Sequence, residues 1–214
     1  EFRRVLFRSW PDGGGFSSVA DGLAALRDEA AVREEVRAVV DISFDAARHR
    51  ALSLGGPLCD VPLRVHARYQ REEVLAALGY ATLQRKPNSF REGVLYEPTH
   101  NVDAFFITLK KSENEFSPTT MYRDYPINPT LFHWESQSGT SVKSKTGQRY
   151  VNGTSNVLLF VRETKDDEFG TSPYLFLGPA TYVTHQGEKP IAITWKLEHA
   201  MPIDFYNTAA VAAQ

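Results

Sequence analysis

Cysteine is all but missing from this chain of 214 residues: Cys59 stands alone. One thiol excludes an internal disulfide framework and any multi-cysteine zinc site. Long apolar runs are missing as well. None approaches the ~18 residues that a membrane-spanning helix needs, so no membrane partner is expected. A surplus of one charge sign is also missing: 24 Lys and Arg face 26 Asp and Glu, a formal net charge of −2. That excludes a uniformly basic nucleic-acid binder and leaves room for a local basic patch. No unit of about 20–50 residues recurs, so solenoids and propellers are excluded. A cytoplasmic location is expected, and Asn152-Gly153-Thr154 reads as a chance match to a glycosylation acceptor.

What is present supports a folded core. Hydrophobic residues make up 42% of the chain, enough for one domain with an appendage or for two small domains. The opening residues 1–9, EFRRVLFRS, read as a translated sequencing adapter, and on that reading the natural protein is longer and starts elsewhere. A PDGGG turn signal follows, and 10–60 form a helical connector. Ser17 or Ser18 caps a helix running to about 28, with Val19, Leu23 and Leu26 on one face. A second helix over about 31–50 repeats Val32, Val36, Val39 or Val40, and Phe44, and Leu54-Gly55-Gly56-Pro57 ends the pattern.

Residues 61–92 form a strand–helix lead-in. Over 61–69, Leu63, Val65 and Ala67 alternate with Arg64, His66 and Arg68, the pattern of a half-buried strand. A short helix over 71–78 stops at Gly79. Between 61 and 91, Arg64, Arg68, Arg71, Arg85, Lys86 and Arg91 face only Glu72 and Glu73. From 93 to 200, strand patterns at 94–96, 104–109, 132–135, 157–161, 174–177, 181–184 and 191–197 are punctuated by Gly and Pro. The expected fold is α+β: a β-rich barrel or sandwich of about 6–8 short strands, preceded by a small helical segment. Residues 201–214 read as a tail or short helix.

The stretch 116–150 is too rich in aromatics for a linker and too polar for core, which is the profile of binding loops on a rigid scaffold. On a strand over 132–137, Phe132, Trp134 and Ser136 point one way and His133, Glu135 and Gln137 the other. Trp134 either stacks on a base or packs into the core beside Phe132. Gln137 and Ser138 either read a base edge or simply face water. Over 139–151, Lys143, Lys145 and Arg149 stand among hydroxyls, Gly147 and Tyr150 without an acid. Such a set suits a grip on a phosphate backbone, with a plain surface loop as the alternative. Arg64 and Arg68 add a second cationic strip. The candidate nucleic-acid-binding residues are therefore His133, Trp134, Gln137, Ser138, Lys143, Lys145, Arg149, Tyr150, Arg64 and Arg68. Arg123 and Asp124 read as a structural or a solvated pair. His100, Asp103, His133, Glu135 and His185 lack metal-ligand spacing, and Ser117, Ser136 and Ser138 lack a nucleophile-elbow context, so no catalytic residue or metal is expected.

The segments VPLRVHARYQREEVLAALG, REGVLY, FFITLKKSENEFSPTTMYRDYPI, LFHWESQS, TGQRY, VLLFVRE, PYLFLG and KPIAITWKL follow one another in this order. Over about 60–197 they resemble an uncharacterised bacterial domain, domain of unknown function 3427. That domain occurs at the C-terminus of superfamily 2 DEAD/DEAH-box helicases, often with an upstream phospholipase-D-like nuclease domain. The 10–59 helices resemble the stretch that joins a helicase core to it. The resemblance implies a C-terminal accessory fragment of a helicase, with that core as a partner in the same polypeptide and with ATP and Mg acting there only. It transfers no catalytic residue, because the sequence has no G-x-x-x-x-G-K-[ST] loop, no Asp-Glu-x-His box and no His-x-Lys signature. Three functions compete: a module binding DNA or RNA, a protein-docking or regulatory module of the helicase, and a nuclease that would need His133, Glu135 or Asp103 in one cleft.

Overall fold

The computed structural model describes residues 18–46, 51–82, 93–110, 123–168 and 170–212. The adapter-like start, the 10–15 turn signal, Arg85, Lys86, Arg91 and 116–122 lie outside the described residues. The chain divides into two compact units, Glu1–Arg48 and His49–Gln214.

In the first unit, α1 spans Val19–Asp28 and α2 spans Ala30–Ala46. Ser18 caps α1: its hydroxyl accepts the Asp21 amide at 3.1 Å, satisfying a donor that has no partner within the helix. Asp21 in the first turn and Arg27 in the last suit the helix dipole. Leu23, Val36, Val39 and Val40 are exposed.

The second unit opens with β1 (Leu52–Ser53), β2 (Arg64–Val65), β3 (Arg68–Tyr69) and α3 (Arg71–Ala77). The main sheet follows: β4 (Val94–Glu97), β5 (Val102–Thr108), β6 (Tyr125–Asn128), β7 (Leu131–Glu135), then α4 (Lys145–Asn152) and β8 (Asn156–Arg162). A small hairpin of β9 (Asp166–Asp167) and β10 (Gly170–Thr171) leads into β11 (Tyr174–Gln186), β12 (Ala192–Leu197) and α5 (Ile203–Ala212). The sheet order is β4-β5-β8-β11-β12-β7-β6, and β3 pairs with the start of β11. The β5–β8 pair is parallel, and its partners along the sheet are antiparallel.

Every residue of β5 is buried, because both faces of that strand are covered. This is why it reads as a continuous apolar run rather than an alternating one. Phe105 of β5 stacks on Trp134 of β7 with ring centroids 4.2 Å apart. Those strands are four places apart in the sheet order, about 19 Å in a flat sheet. The sheet therefore curls on itself like a barrel. Its concave side holds Phe105, Trp134, Tyr150, Leu159, Leu177 and Trp195, together with Phe205 and Ala209 of α5. The other side of β4, β5, β8 and early β11 is covered by Leu58, Leu63, Val65, Val74 and Leu78. The covering segment comes very close at Gly178 (φ 97°), where a Cβ would sit 3.0 Å from a Val65 methyl.

The α+β, β-rich expectation describes this architecture, and three local readings differ from it. Residues 61–69 are not one strand: His66 takes a left-handed φ of 68°, splitting the run into β2 and β3. The 174–177 and 181–184 patterns belong to one strand, β11, carried through register shifts at 176/178 and 182/184. Part of the expected surface loop over 140–150 is the helix α4.

Candidate nucleic-acid interface

Helix α4 is short and rich in poor helix formers, so its ends and its packing must hold it. Ser144 caps the first turn, its Oγ accepting the Gly147 amide at 3.0 Å. Gly153 closes the last turn in the left-handed region, φ 59°. Gly147 lies directly beneath the Ser141 carbonyl, leaving no room for a Cβ. Tyr150 drives the inner face into the core, edge-on to Phe105 at 5.3 Å. Burial pushes its phenol well above the ordinary tyrosine range, and the nearby Asp103 adds to that.

The next residue outward, Arg149, reaches the sheet. Its Nε and Nη2 each donate to the Asp103 carboxylate at 2.9 Å, a bidentate pair. Asp103 is fully buried and accepts a third hydrogen bond from Ser155 Oγ at 2.6 Å. Those hydrogen bonds to Asp103 raise the Arg149 pKa further. Asp103 faces Tyr96 across the β4–β5 pair, and the Arg149 guanidinium lies 3.8 Å from the centre of the Tyr96 ring. Tyr96 in turn donates its hydroxyl to Asn101 Oδ1 at 3.2 Å and stays 39% exposed.

The other acid nearby is turned inward as well. Glu97 is buried and accepts the backbone amides of Thr99 at 2.9 Å and His100 at 2.8 Å, and meets the His100 ring at 2.9 Å. Burial alone would raise its pKa; these hydrogen bonds outweigh burial and hold it at about 2. Within 93–110 and 137–156, Glu97 and Asp103 are the acids, and both are buried and satisfied. The exposed part of that surface carries Lys143, Lys145, Gln148, Asn101, Asn152 and Tyr96. Among the described residues neither Lys143 nor Lys145 has an acidic partner within salt-bridge distance.

The residues singled out from sequence are thus divided. Trp134 and Tyr150 are core, 4% and 2% exposed, and neither ring is available to a base. The packing alternative for Trp134 holds, because its side of β7 faces the concave interior. Arg149 is a locked plane whose charge is already balanced by Asp103. Lys143, Lys145, Gln137 and Ser138 are exposed in the loop before α4 and at its start. His133 stacks on Tyr125 at 4.6 Å, on the other face of β7. Burial lowers its pKa against the opposing pull of Glu135 and Asp124, which disfavours the charged form of the ring. Arg64 and Arg68 do not join α4. Arg64 donates to Ser53 Oγ, and Arg68 pairs with Leu175 at the start of β11, beside the end of β8 opposite to the one α4 leads into. There Arg68 lines a cleft of about 350 Å³ with Arg162, Glu163, Thr164, Asp167, Ser172 and Pro173.

The nuclease constellation does not assemble. Asp103 shares the concave face with Phe105, whereas His133 and Glu135 point to the opposite face of the sheet. Among the described residues no three His, Cys, Asp or Glu are grouped as metal ligands. Sequence reasoning missed Tyr96 and Asn101 as surface groups and Ser155 as a support. The legible signal was Asp103, a lone acid at the start of an apolar strand.

The sequence profile of a family described as Domain of unknown function (DUF3427) matches residues 63–209. No curated protein matches the chain. Among solved structures, SUVH6 of Arabidopsis thaliana in complex with SAM aligns at 11% identity and TM-score 0.39, over 80% of this chain and 32% of that one. The 5-hydroxymethylcytosine-specific restriction enzyme AbaSI aligns at 12% identity and TM-score 0.36, over 91% of this chain and 59% of that one. KRYPTONITE in complex with mCHG DNA and SAH aligns at 11% identity and TM-score 0.38, over 84% and 41%. The chain spans less than two thirds of each of these proteins, and likeness at this level carries no functional argument.

Proposed function

The chain belongs to the DUF3427 family, and we propose that it is a nucleic-acid-binding accessory domain, part of a DEAD/DEAH-box helicase as the sequence resemblance implies. One observation carries this reading: the surface built by the loop before α4, α4 itself and the β4–β5 turn has its acids buried and its lysines exposed. A near-neutral protein thereby presents a local positive face. Lys143 and Lys145 supply the charge for phosphates, amides and hydroxyls supply further donors, and Arg149 supplies a fixed plane.

Two uncompensated lysines predict modest affinity that weakens with salt. Fluorescence anisotropy with a labelled single-stranded oligonucleotide is expected to give a log K against log salt slope that flattens by about 1.4 in a Lys143→Ala/Lys145→Ala variant. Salt-insensitive binding, or a slope unchanged in that variant, would overturn the reading. A second reading, docking of a protein partner, is favoured by Tyr125 and Ile127, which are 37% and 42% exposed on the edge strand β6. It predicts no salt-dependent oligonucleotide binding.

A further inference from the structure

The polar surface around α4 contains one feature that phosphate binding does not need. Arg149 lies over the face of Tyr96, with its guanidinium carbon 3.8 Å from the ring centre. The stack is fixed from three directions. Asp103, fully buried, takes two of the Arg149 donors, so the guanidinium cannot swing. Ser155 holds Asp103 in turn. Asn101 takes the Tyr96 hydroxyl, and β4 pairing sets the backbone. A ring that is 39% exposed and already ordered loses little further freedom when something settles on it. Because the Asp103 carboxylate balances the Arg149 charge, the platform adds shape and polarisability rather than net charge.

We propose that the Tyr96–Arg149 stack is a base-stacking platform, so that the partner of this surface is nucleic acid with unpaired bases rather than an intact duplex. The inference rests on the nucleic-acid reading above and adds the class of partner. A paired base hides both faces in the duplex stack, whereas an unpaired one offers a face to an aromatic or guanidinium plane. Lys145 stands one helical turn before Arg149, on the same side of α4. A strand whose phosphates meet Lys143 and Lys145 therefore runs past Tyr96 within one turn of the helix. Gln148 is less available to a base edge, since its Nε2 donates to the Val142 carbonyl at 2.7 Å, so no sequence preference is read from it.

The test compares the full chain with Tyr96→Ala, Tyr96→Leu and Tyr96→Phe variants on matched single-stranded and duplex oligonucleotides across a salt series. The parent is expected to prefer the single strand. Tyr96→Ala and Tyr96→Leu are expected to lose roughly 5- to 100-fold on it while keeping the parent's salt slope, since a stacked base displaces no counterions. Tyr96→Phe keeps the ring and is expected to stay within a few-fold of the parent. The leucine variant preserves apolar bulk on β4, so it serves if alanine lowers the melting temperature. Equal binding of single strand and duplex, with Tyr96→Leu indistinguishable from the parent, would overturn the platform and leave the lysine surface standing. Absence of salt-dependent binding to either oligonucleotide would overturn both.

Discussion

The two ends of β8 solve the same electrostatic problem in opposite senses. At the end that α4 leads into, the buried charges are acids, Asp103 and Glu97, and the lysines stay outside. At the far end the buried charge is a cation. Arg162, 6% exposed, donates to Thr108 Oγ1 at 3.0 Å and to the carbonyls of Lys165 and Ser172 at 3.2 and 3.1 Å, with its guanidinium 4.3 Å from the Tyr174 ring centre. Outside it stand Asp166, Asp167 and Glu168, all exposed. A formal net charge of −2 hides this polarity. Local sign is set by the sum of charges in each region: at the α4 end Arg149 offsets Asp103 and the two lysines outweigh Glu97, whereas at the far end the three acids outweigh Arg162.

The largest effects should come from emptying either buried charge site. Asp103→Ala strands Arg149, and Arg162→Ala takes a donor from the Thr108 hydroxyl and from the Ser172 carbonyl, while the Lys165 carbonyl keeps the Ser172 amide. Losing Asp103 is expected to cost about 3–5 kcal/mol in urea unfolding, and losing Arg162 about 1–3 kcal/mol for the neutral polar groups it leaves. Their effects on binding should part company. Losing Asp103 adds an uncompensated cation beside the lysines and steepens the oligonucleotide salt slope by about 0.7, whereas losing Arg162 leaves it unchanged. Equal slopes in the two variants would break the contrast between the ends.

Acid provides the next largest effect. Glu97 has its pKa lowered from 4.5 to about 2, so its contribution is fully present above about pH 4.5 and fades as pH falls through about 2. Up to about 3 kcal/mol is lost over that window. A Glu97→Gln variant should show a flatter fall of unfolding free energy between pH 4.5 and 2 than the parent. His133 titrates in the same sense at milder pH: its pKa is lowered, so its part of the stability is complete above about 6.5 and declines below that.

The smallest effect is assigned to Arg68, exposed at the far end of β8. Arg68→Ala should change stability by less than about 0.5 kcal/mol and leave the salt slope of oligonucleotide binding untouched. A flattened slope would mean that the cleft beside Arg162 also meets phosphate, and the two ends would then be alike.

The elements that carry the core were legible because their signals are local. β5 and β8 are apolar runs flanked by Asn and Gly, and α3 has its period and its stop at Gly79. The α4 stretch reads as loop in sequence because Thr146 and Gly147 are poor helix formers, and what holds it is the Ser144 cap, the Gly153 turn and the burial of Tyr150. The candidate site was legible as a region more than as a set of roles. Lys143 and Lys145 sit where an acid-free stretch places them, while Trp134 and Tyr150 go inward because the sheet curls until Phe105 meets both rings.

Composition and spacing by themselves decided that this chain has a β-rich core, helices before it, and one stretch free of acids. Only the tertiary structure decided the sign of each surface, since that depends on Arg149 finding Asp103 at a separation of 46 residues. Periodicity of 2 or 3.6 residues records which way neighbouring side chains point. Charge neutralisation in a fold is a contact between distant segments, and it leaves no periodic trace along the chain.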